Sequence, residues 1–151
     1  MYLEDYAEGI TFQLDPFALS EKEIIDYALA YDDRPFHTDP EAAKDTRFGG
    51  IIASGLQSLS ATWGHWVATG LDRGGVVAGI GMNYLRWVNP VYPNVDLYTT
   101  VVVDKIEIKS GGDYGVVHMR AFTRDEEGKL LLEHDAIELV ASRHAKVKKE
   151  N

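Results

Sequence analysis

The stretch of sequence that decides the fold runs from residue 51 to residue 69, IIASGLQSLSATWGHWVAT. Its large apolar side chains recur every three or four residues, the spacing of one face of an α-helix. They are Ile52, Leu56, Leu59, Trp63, Trp66 and Val67. The pattern predicts a helix from about Ile51 to Thr69 that ends at Gly70. With two tryptophans on its apolar face, this helix is suited to the centre of the protein.

After this helix the apolar period changes to two, which is typical of β-strands. One predicted strand carries Val76, Ala78, Ile80, Met82 and Tyr84 on one face. Three more are predicted at about 97–108, 116–123 and 129–141, joined by turns at 111–113 and 125–128. A long apolar helix followed by antiparallel strands predicts an α+β fold in which the sheet curls around the helix. Open sheet edges would also let two copies join edge to edge.

Shorter elements are predicted before the central helix. Residues 10–17 alternate loosely and predict a first strand. Ser20 and Glu23 match a capping box, so a helix should begin at Glu21 and end before Pro35. Asp39 is predicted to cap a second short helix that runs through residue 44. Asp32 therefore falls at the end of the first helix, and His37 is predicted in the loop beyond it.

The candidate chemistry lies in this loop region. Asp32 and His37 are five residues apart with Pro35 between them, and a carboxylate and an imidazole can share one water and move its proton. The free N–H groups at the start of the following helix, near Gly55, suit negative charge that develops on an acyl oxygen. From the residues alone, Asp32 as a turn residue and His37 as a loop residue bonded to backbone stay open as alternatives.

Composition bounds the class of protein. The chain has 151 residues, which predicts a single domain over residues 1–151. A net charge of -9 argues against nucleic acid or a membrane as partner, and the basic run at 146–149 is predicted to be a solvated tail. Zero cysteines exclude disulfides and a cysteine nucleophile. The acidic N-terminal segment lacks the features of a secretory signal, so a cytoplasmic location is expected.

Three motifs carry a resemblance to a known family. They are Asp32-x-x-Pro35-x-His37-x-Asp39, Phe48-Gly49-Gly50-x-Ile52-Ala53-x-Gly55 and Val88-x-Pro90-Val91. Together they resemble the MaoC-like dehydratases, relatives of the (R)-specific enoyl-CoA hydratases, over nearly the whole chain. The resemblance implies a hot dog fold, in which a sheet wraps a central helix. It also implies reversible hydration of a trans-2-enoyl-CoA in fatty acid metabolism, with coenzyme A as part of the substrate and no other cofactor.

The resemblance also assigns roles by position. Asp32 and His37 would activate one water, and the N–H of Gly55 would bind the thioester oxygen. Arg34 and Ser54 are predicted to contact the substrate. At position 34 the family usually has Asn or Gln, and a guanidinium would either stabilise the charge of Asp32 or bind an anionic group.

Other readings of the sequence remain. A thioesterase on the same fold commonly has a carboxylate on the central helix, whereas no Asp or Glu occurs between residues 47 and 71. A non-catalytic acyl-binding domain, inactivated by Arg34, is a third possibility. A metal at His37 lacks a third ligand, so no metal is predicted. The expected partners are an acyl-CoA thioester and a second copy of the chain, as a homodimer or dimer of dimers; Arg47, Arg86 and Lys105 are candidates to bind coenzyme A phosphates.

Overall fold

The computed structural model describes residues 1–145. The basic run at 146–149, predicted to be a solvated tail, lies outside the described residues. The elements in chain order are a 3-10 helix Leu3–Asp5, β1 Thr11–Gln13, α1 Glu21–Tyr31, α2 Pro35–Thr38, α3 Pro40–Lys44, α4 Gly55–Ala68, β2 Val76–Gly81, β3 Leu85–Trp87, β4 Tyr98–Ile108, β5 Tyr114–Arg124 and β6 Leu130–Ala141.

The strands form one antiparallel sheet in the order β1-β4-β5-β6-β2, and β3 also pairs with β6. The long strands β4, β5 and β6 pair along nearly their whole length. Gly111 and Gly112 in the β4–β5 turn have φ of 95° and 75°, a conformation that favours glycine. Both turns that the sequence predicts between the long strands are therefore present. Within residues 1–145, no helix has the length and apolar character needed to cross a bilayer.

Helix α4 packs on the curled sheet through Trp66, which is 1% exposed. Trp66 belongs to the larger core cluster together with Val101, Val117 and Met119 from the sheet. Its indole Nε1 donates a hydrogen bond to Asp72 Oδ2 at 2.7 Å, so the polar atom of the ring is satisfied inside the core. This arrangement of helix and sheet is the hot dog fold that the sequence predicts.

The start of α4 differs from the prediction. The helix begins at Gly55 rather than at Ile51, and residues 51–54 are outside it. In that segment Ile52 N donates to Phe36 O at 3.1 Å and Ala53 N donates to Val91 O at 2.8 Å. These hydrogen bonds tie residues 52 and 53 to neighbouring segments, and the first i→i−4 hydrogen bond of the helix runs from Ser58 N to Ser54 O at 3.0 Å.

The buried face of α4 also differs from the prediction. Leu56 and Val67 are 47% and 49% exposed, although the apolar period places them on the core face. The residues of α4 that the structure buries are Gln57, Ser58, Thr62 and Trp66. Thr62 Oγ1 lies 3.4 Å from Thr123 Oγ1 on β5, and Gln57 Nε2 donates to the carbonyl of Glu23 at 2.9 Å.

Three further predictions were wrong in detail. His37 lies in the short helix α2 rather than in a loop, because Pro35 occupies the first position of a helix, where its fixed φ is suitable. The strand predicted through Tyr84 ends at Gly81. Asp135 Oδ1 accepts hydrogen bonds from the backbone N–H of Asn83 and Tyr84, at 2.8 Å and 2.7 Å, which separates β2 from β3. The predicted first strand is limited to β1 and one isolated bridge.

Candidate active site

Asp32 lies at the C-terminal end of α1, as predicted. It is the C-cap residue, and its N–H donates to Ala28 O at 2.8 Å. The other end of α1 is fixed by the predicted capping box, in which Ser20 Oγ accepts a hydrogen bond from Glu23 N and the Glu23 carboxylate accepts one from Ser20 N. The position of the Asp32 carboxylate is therefore set by where this helix ends.

Three side chains surround the Asp32 carboxylate. Ser54 Oγ donates a hydrogen bond to Oδ2 at 2.7 Å. Arg34 forms an ion pair with the other oxygen, with 3.0 Å between Arg34 Nε and Asp32 Oδ1. His37 Nε2 lies 3.5 Å from Oδ2. The carboxylate is thus fixed in orientation by two groups from the start of α2, Arg34 and His37, and by Ser54, the N-cap of α4.

His37 is 5% exposed, and its ring is fixed by a backbone contact. Its Nδ1 lies 2.6 Å from Ile52 O. A carbonyl oxygen only accepts hydrogen bonds, so Nδ1 carries the hydrogen and, in the neutral ring, Nε2 is an acceptor. Asp32 Oδ2 and His37 Nε2 are then two acceptors facing each other at 3.5 Å. Such a pair is satisfied by a shared donor, and a water molecule is the simplest one.

Gly55 is the first residue of α4. Among the described residues its N–H donates to no acceptor, as is general for the first N–H groups of a helix. The indole of Trp87 packs against the Cα of Gly55. Trp87 Nε1 donates to Gly55 O at 2.8 Å, and a Cβ on Gly55 would lie 2.5 Å from ring atom Cε2. This close approach of Trp87 requires glycine at position 55.

A pocket of about 670 Å³ joins these groups. Its size is within the range of small-molecule binding sites. All five predicted site residues line it, namely Asp32, Arg34, His37, Ser54 and Gly55. Its remaining walls include Arg47, Trp87, Val91 and Leu132, which are contributed by distant parts of the chain.

Not every predicted role follows from this placement. Ser54 is fully buried and donates its hydroxyl to Asp32, so it supports the carboxylate; its contact with a substrate stays a prediction. Of the three candidates for phosphate binding, only Arg47 lines the pocket. Arg86 pairs with Glu133 at 3.3 Å, and Lys105 pairs with Glu107.

Two nearby residues have structural roles. Asp39 caps α3, as predicted, by accepting hydrogen bonds from the backbone N–H of Glu41 and Ala42 at 2.9 Å and 3.1 Å. His65 on α4 stacks on Phe17 with ring centroids 3.8 Å apart. Within residues 1–145, no group of three or more His, Asp or Glu side chains is arranged to hold a metal ion.

Trp87 is the site residue that sequence reasoning missed. It is the last residue of the short strand β3 and precedes the Val88-x-Pro90-Val91 motif, and no apolar period singles it out. Its contact is with a residue 32 positions away in sequence. The only available signal was the glycine at position 55, which indicated a neighbour without identifying it.

Comparison with known proteins relates this geometry to a family. A family model described as "MaoC like domain" matches residues 7–122. Protein YdeM of Bacillus subtilis, an uncharacterized protein, is 36% identical over 106 residues, which cover 70% of this chain and 75% of that protein.

Solved structures show the same architecture. A MaoC-like dehydratase from Rhodospirillum rubrum superposes with a TM-score of 0.86 at 29% identity, covering 95% of this chain and 98% of that one. The R-hydratase PhaJ1 from Pseudomonas aeruginosa, in its unliganded form, has a TM-score of 0.73 at 24% identity, covering 93% and 85%. The second likeness concerns the fold alone.

Proposed function

The chain belongs to the MaoC-like domain family, and from that premise we propose that it catalyses the reversible hydration of a trans-2-enoyl-CoA to a 3-hydroxyacyl-CoA. One observation carries the proposal: Asp32 Oδ2 and His37 Nε2 face each other at 3.5 Å on the wall of a pocket that also includes Gly55. The pair can hold one water, and the amide can receive the thioester oxygen.

In the proposed reaction, the water between Asp32 and His37 attacks the β-carbon of the enoyl thioester. One O–H bond breaks as the C–O bond forms, and the proton passes to His37 Nε2. The electron pair of the double bond moves toward the thioester oxygen, where the N–H of Gly55 stabilises the charge. The enolate then takes a proton at the α-carbon from the Asp32–His37 pair, so that one water has been added. Dehydration follows the same steps in reverse.

The surroundings support these roles. The Ile52 carbonyl keeps the hydrogen of neutral His37 on Nδ1, which leaves Nε2 free to accept a proton. Ser54 orients the carboxylate of Asp32 at Oδ2. We further propose that no cofactor other than the coenzyme A of the substrate takes part, and that Arg47 meets its phosphates. A cytoplasmic location stays a prediction.

The test is hydration of crotonyl-CoA, measured by the loss of the conjugated enoyl absorbance. Asp32→Asn and His37→Ala should each lower kcat/KM by about 10²–10⁴-fold, because each removes one member of the acid–base pair. Circular dichroism should show that both variants are folded. Turnover like that of the wild type in both variants would contradict the proposal. Release of free thiol from the same substrate would instead indicate a thioesterase.

A further inference from the structure

Arg34 forms an ion pair with Asp32, but most of its guanidinium group remains accessible to a ligand. Its side chain is 65% exposed and lines the pocket. It pairs with Asp32 through Nε, and it makes no side-chain hydrogen bond to an acceptor in residues 1–145. Its two terminal Nη groups, which form the fork that recognises carboxylates, are therefore free to bind a ligand.

We propose that Arg34 binds a carboxylate on the acyl group of the substrate, so that the preferred substrate is the enoyl thioester of a short dicarboxylic acid. This inference rests on the hydratase function proposed above. It assigns a substrate class to the same site, and it gives Arg34 a role in selecting the acyl group.

The order of contacts along the pocket indicates which part of the substrate meets Arg34. Ser54, which immediately precedes Gly55, contacts Oδ2 of Asp32, whereas Arg34 contacts Oδ1. Asp32 therefore lies between Arg34 and the start of α4. If the thioester oxygen is at Gly55 and the β-carbon is at the water of Asp32 and His37, the groups beyond the β-carbon extend toward Arg34. The coenzyme extends from the opposite side of the thioester.

The charge of the pocket favours an anion over an apolar chain at this point. Arg47, the second guanidinium of the pocket, has no carboxylate within ion-pair distance among the described residues and lies over the ring of Phe48. Asp32 is the only carboxylate in the pocket lining of the described chain. An apolar chain end beside Arg34 would displace its water without replacing those hydrogen bonds, which is unfavourable.

A matched pair of substrates tests the inference. The first is glutaconyl-CoA, which carries a carboxylate beyond the double bond. The second is trans-5-methylhex-2-enoyl-CoA, in which two methyl groups replace the carboxylate oxygens. We expect the wild type to have the higher kcat/KM for glutaconyl-CoA. In Arg34→Asn the ratio of the two kcat/KM values should fall by about 10- to 100-fold, the loss expected for hydrogen bonds to a charged group. Using the ratio cancels any effect of Arg34 that acts through Asp32.

Two controls separate the acyl carboxylate from the phosphates of coenzyme A. Arg47→Asn removes a guanidinium from the same pocket and should change both kcat/KM values by the same factor. The N-acetylcysteamine thioesters of the same two acids lack phosphate, and the preference of the wild type for the carboxylate should persist with them. If the effect of Arg34→Asn disappears with these thioesters, Arg34 binds a coenzyme phosphate and the inference is overturned.

The two proposals fail in different ways. If the wild type hydrates the branched thioester as well as glutaconyl-CoA, or if Arg34→Asn leaves the ratio unchanged, the hydratase stands and the substrate class is wrong. If crotonyl-CoA is hydrated but neither of these thioesters is, the hydratase likewise stands and the substrate class is wrong. If neither thioester is hydrated and crotonyl-CoA is not hydrated either, the hydratase proposal fails. Binding of the saturated analogues glutaryl-CoA and 5-methylhexanoyl-CoA, measured by calorimetry, then decides the inference separately: it is supported by tighter binding of glutaryl-CoA that is lost in Arg34→Asn, and overturned otherwise.

Discussion

In residues 1–145, Gly55 provides a free N–H at the start of α4 and leaves the space that the indole of Trp87 occupies. Its N–H is the first of α4 and is free among the described residues, while its Cα lies under the indole of Trp87. Its φ is not positive, so backbone conformation does not require glycine here. The requirement is space: any side chain would displace Trp87, which is bonded to the Gly55 carbonyl.

We expect Gly55→Ala to lower kcat for crotonyl-CoA by about 10²-fold. The new Cβ would clash with Trp87, and relieving the clash would shift the Gly55 amide that is proposed to bind the thioester oxygen. The same overpacking should lower the free energy of unfolding by about 1–3 kcal/mol. Gly64→Ala is the matched control in the same helix, since a Cβ there meets nothing within 4 Å. It should keep wild-type turnover and be slightly more stable. Full turnover in Gly55→Ala would show that the amide is not part of the site.

The sequence identifies the residues proposed to react more readily than the groups that position them. Asp32 and His37 stand out by residue type and spacing within one short segment. Their supports do not: the Ile52 carbonyl is 15 residues from His37, and Ser54 is 22 residues from Asp32. Such contacts depend on how separate segments pack, which no local period records. The ion pair of Arg34 with Asp32 is one of the two outcomes that the sequence left open.

At the scale of elements, α1 links a capping motif to the site. Ser20 and Glu23 cap the start of the helix through reciprocal hydrogen bonds. The helix has eleven residues, and Asp32 is its C-cap. Ser20 Oγ and N both contact the Glu23 carboxylate, and these hydrogen bonds lower the pKa of Glu23 below its usual value. The cap therefore stabilises the helix that carries the Asp32 carboxylate at its other end.

Removing the cap should affect stability more than catalysis. Ser20→Ala loses the acceptor for Glu23 N, and we expect the free energy of unfolding to fall by about 1 kcal/mol in urea titrations. Hydration of crotonyl-CoA should change little, because the C-terminal end of α1 is held by its own contacts. Ser20→Asn retains a good N-cap and should recover most of the stability. Equal stability of Ser20→Ala and the wild type would rule out this role for the cap.

The apolar period of helix α4 predicts some features of the helix and misses others. The sequence predicts its existence and its end near Gly70, which has a φ of 67°. It does not predict the start, because the backbone of residues 51–54 is bound by segments around Phe36 and Val91. The predicted apolar face is right at Trp66 and Trp63, which pack in and against the core, and wrong at Leu56 and Val67. A period of three or four cannot tell the centre of a buried face from its margins.

At the scale of the whole molecule, a buried acidic group lies away from the candidate site. Glu138 on β6 is buried, and its Oε2 has no hydrogen-bond partner among the described residues. Burial raises the pKa of Glu138 from 4.5 to about 7, and the neighbouring charge of Asp72 adds to the shift. Burial and the charges of Glu138 and Asp72 likewise raise the pKa of Tyr6 well above its usual value. The folded state therefore keeps a proton on Glu138 that the unfolded state releases.

This difference predicts a decrease in stability as pH rises. Between pH 4.5 and about 7 the folded chain binds more protons at Glu138 than the unfolded chain, so the free energy of unfolding should fall over this window by up to about 3 kcal/mol. Glu138→Gln stays neutral and should flatten the decrease, as measured by urea unfolding at one protein concentration. The exposed Glu126→Gln should keep the wild-type slope. A wild-type slope in Glu138→Gln would show that this carboxyl is charged in the folded state.

The exposed apolar surface supports the homodimer predicted from the sequence. Strand β2 is an edge of the sheet, and its sequence VVAGIG has no charge or proline of the kind that protects open edges. Ile80 on this strand is 53% exposed. Pairing of two β2 edges would satisfy free backbone groups and cover this surface.

We therefore expect the wild type to be a dimer in size-exclusion chromatography with light scattering, and Ile80→Asp to shift it toward the monomer, because a charge at the paired edge would be buried without a partner. Ile108→Asp is the matched control. Ile108 is 63% exposed but ends β4, which is separated from β2 by β5 and β6 in the sheet order, so this variant should stay dimeric. A monomeric wild type, or an Ile80→Asp variant that remains dimeric, would place the contact elsewhere.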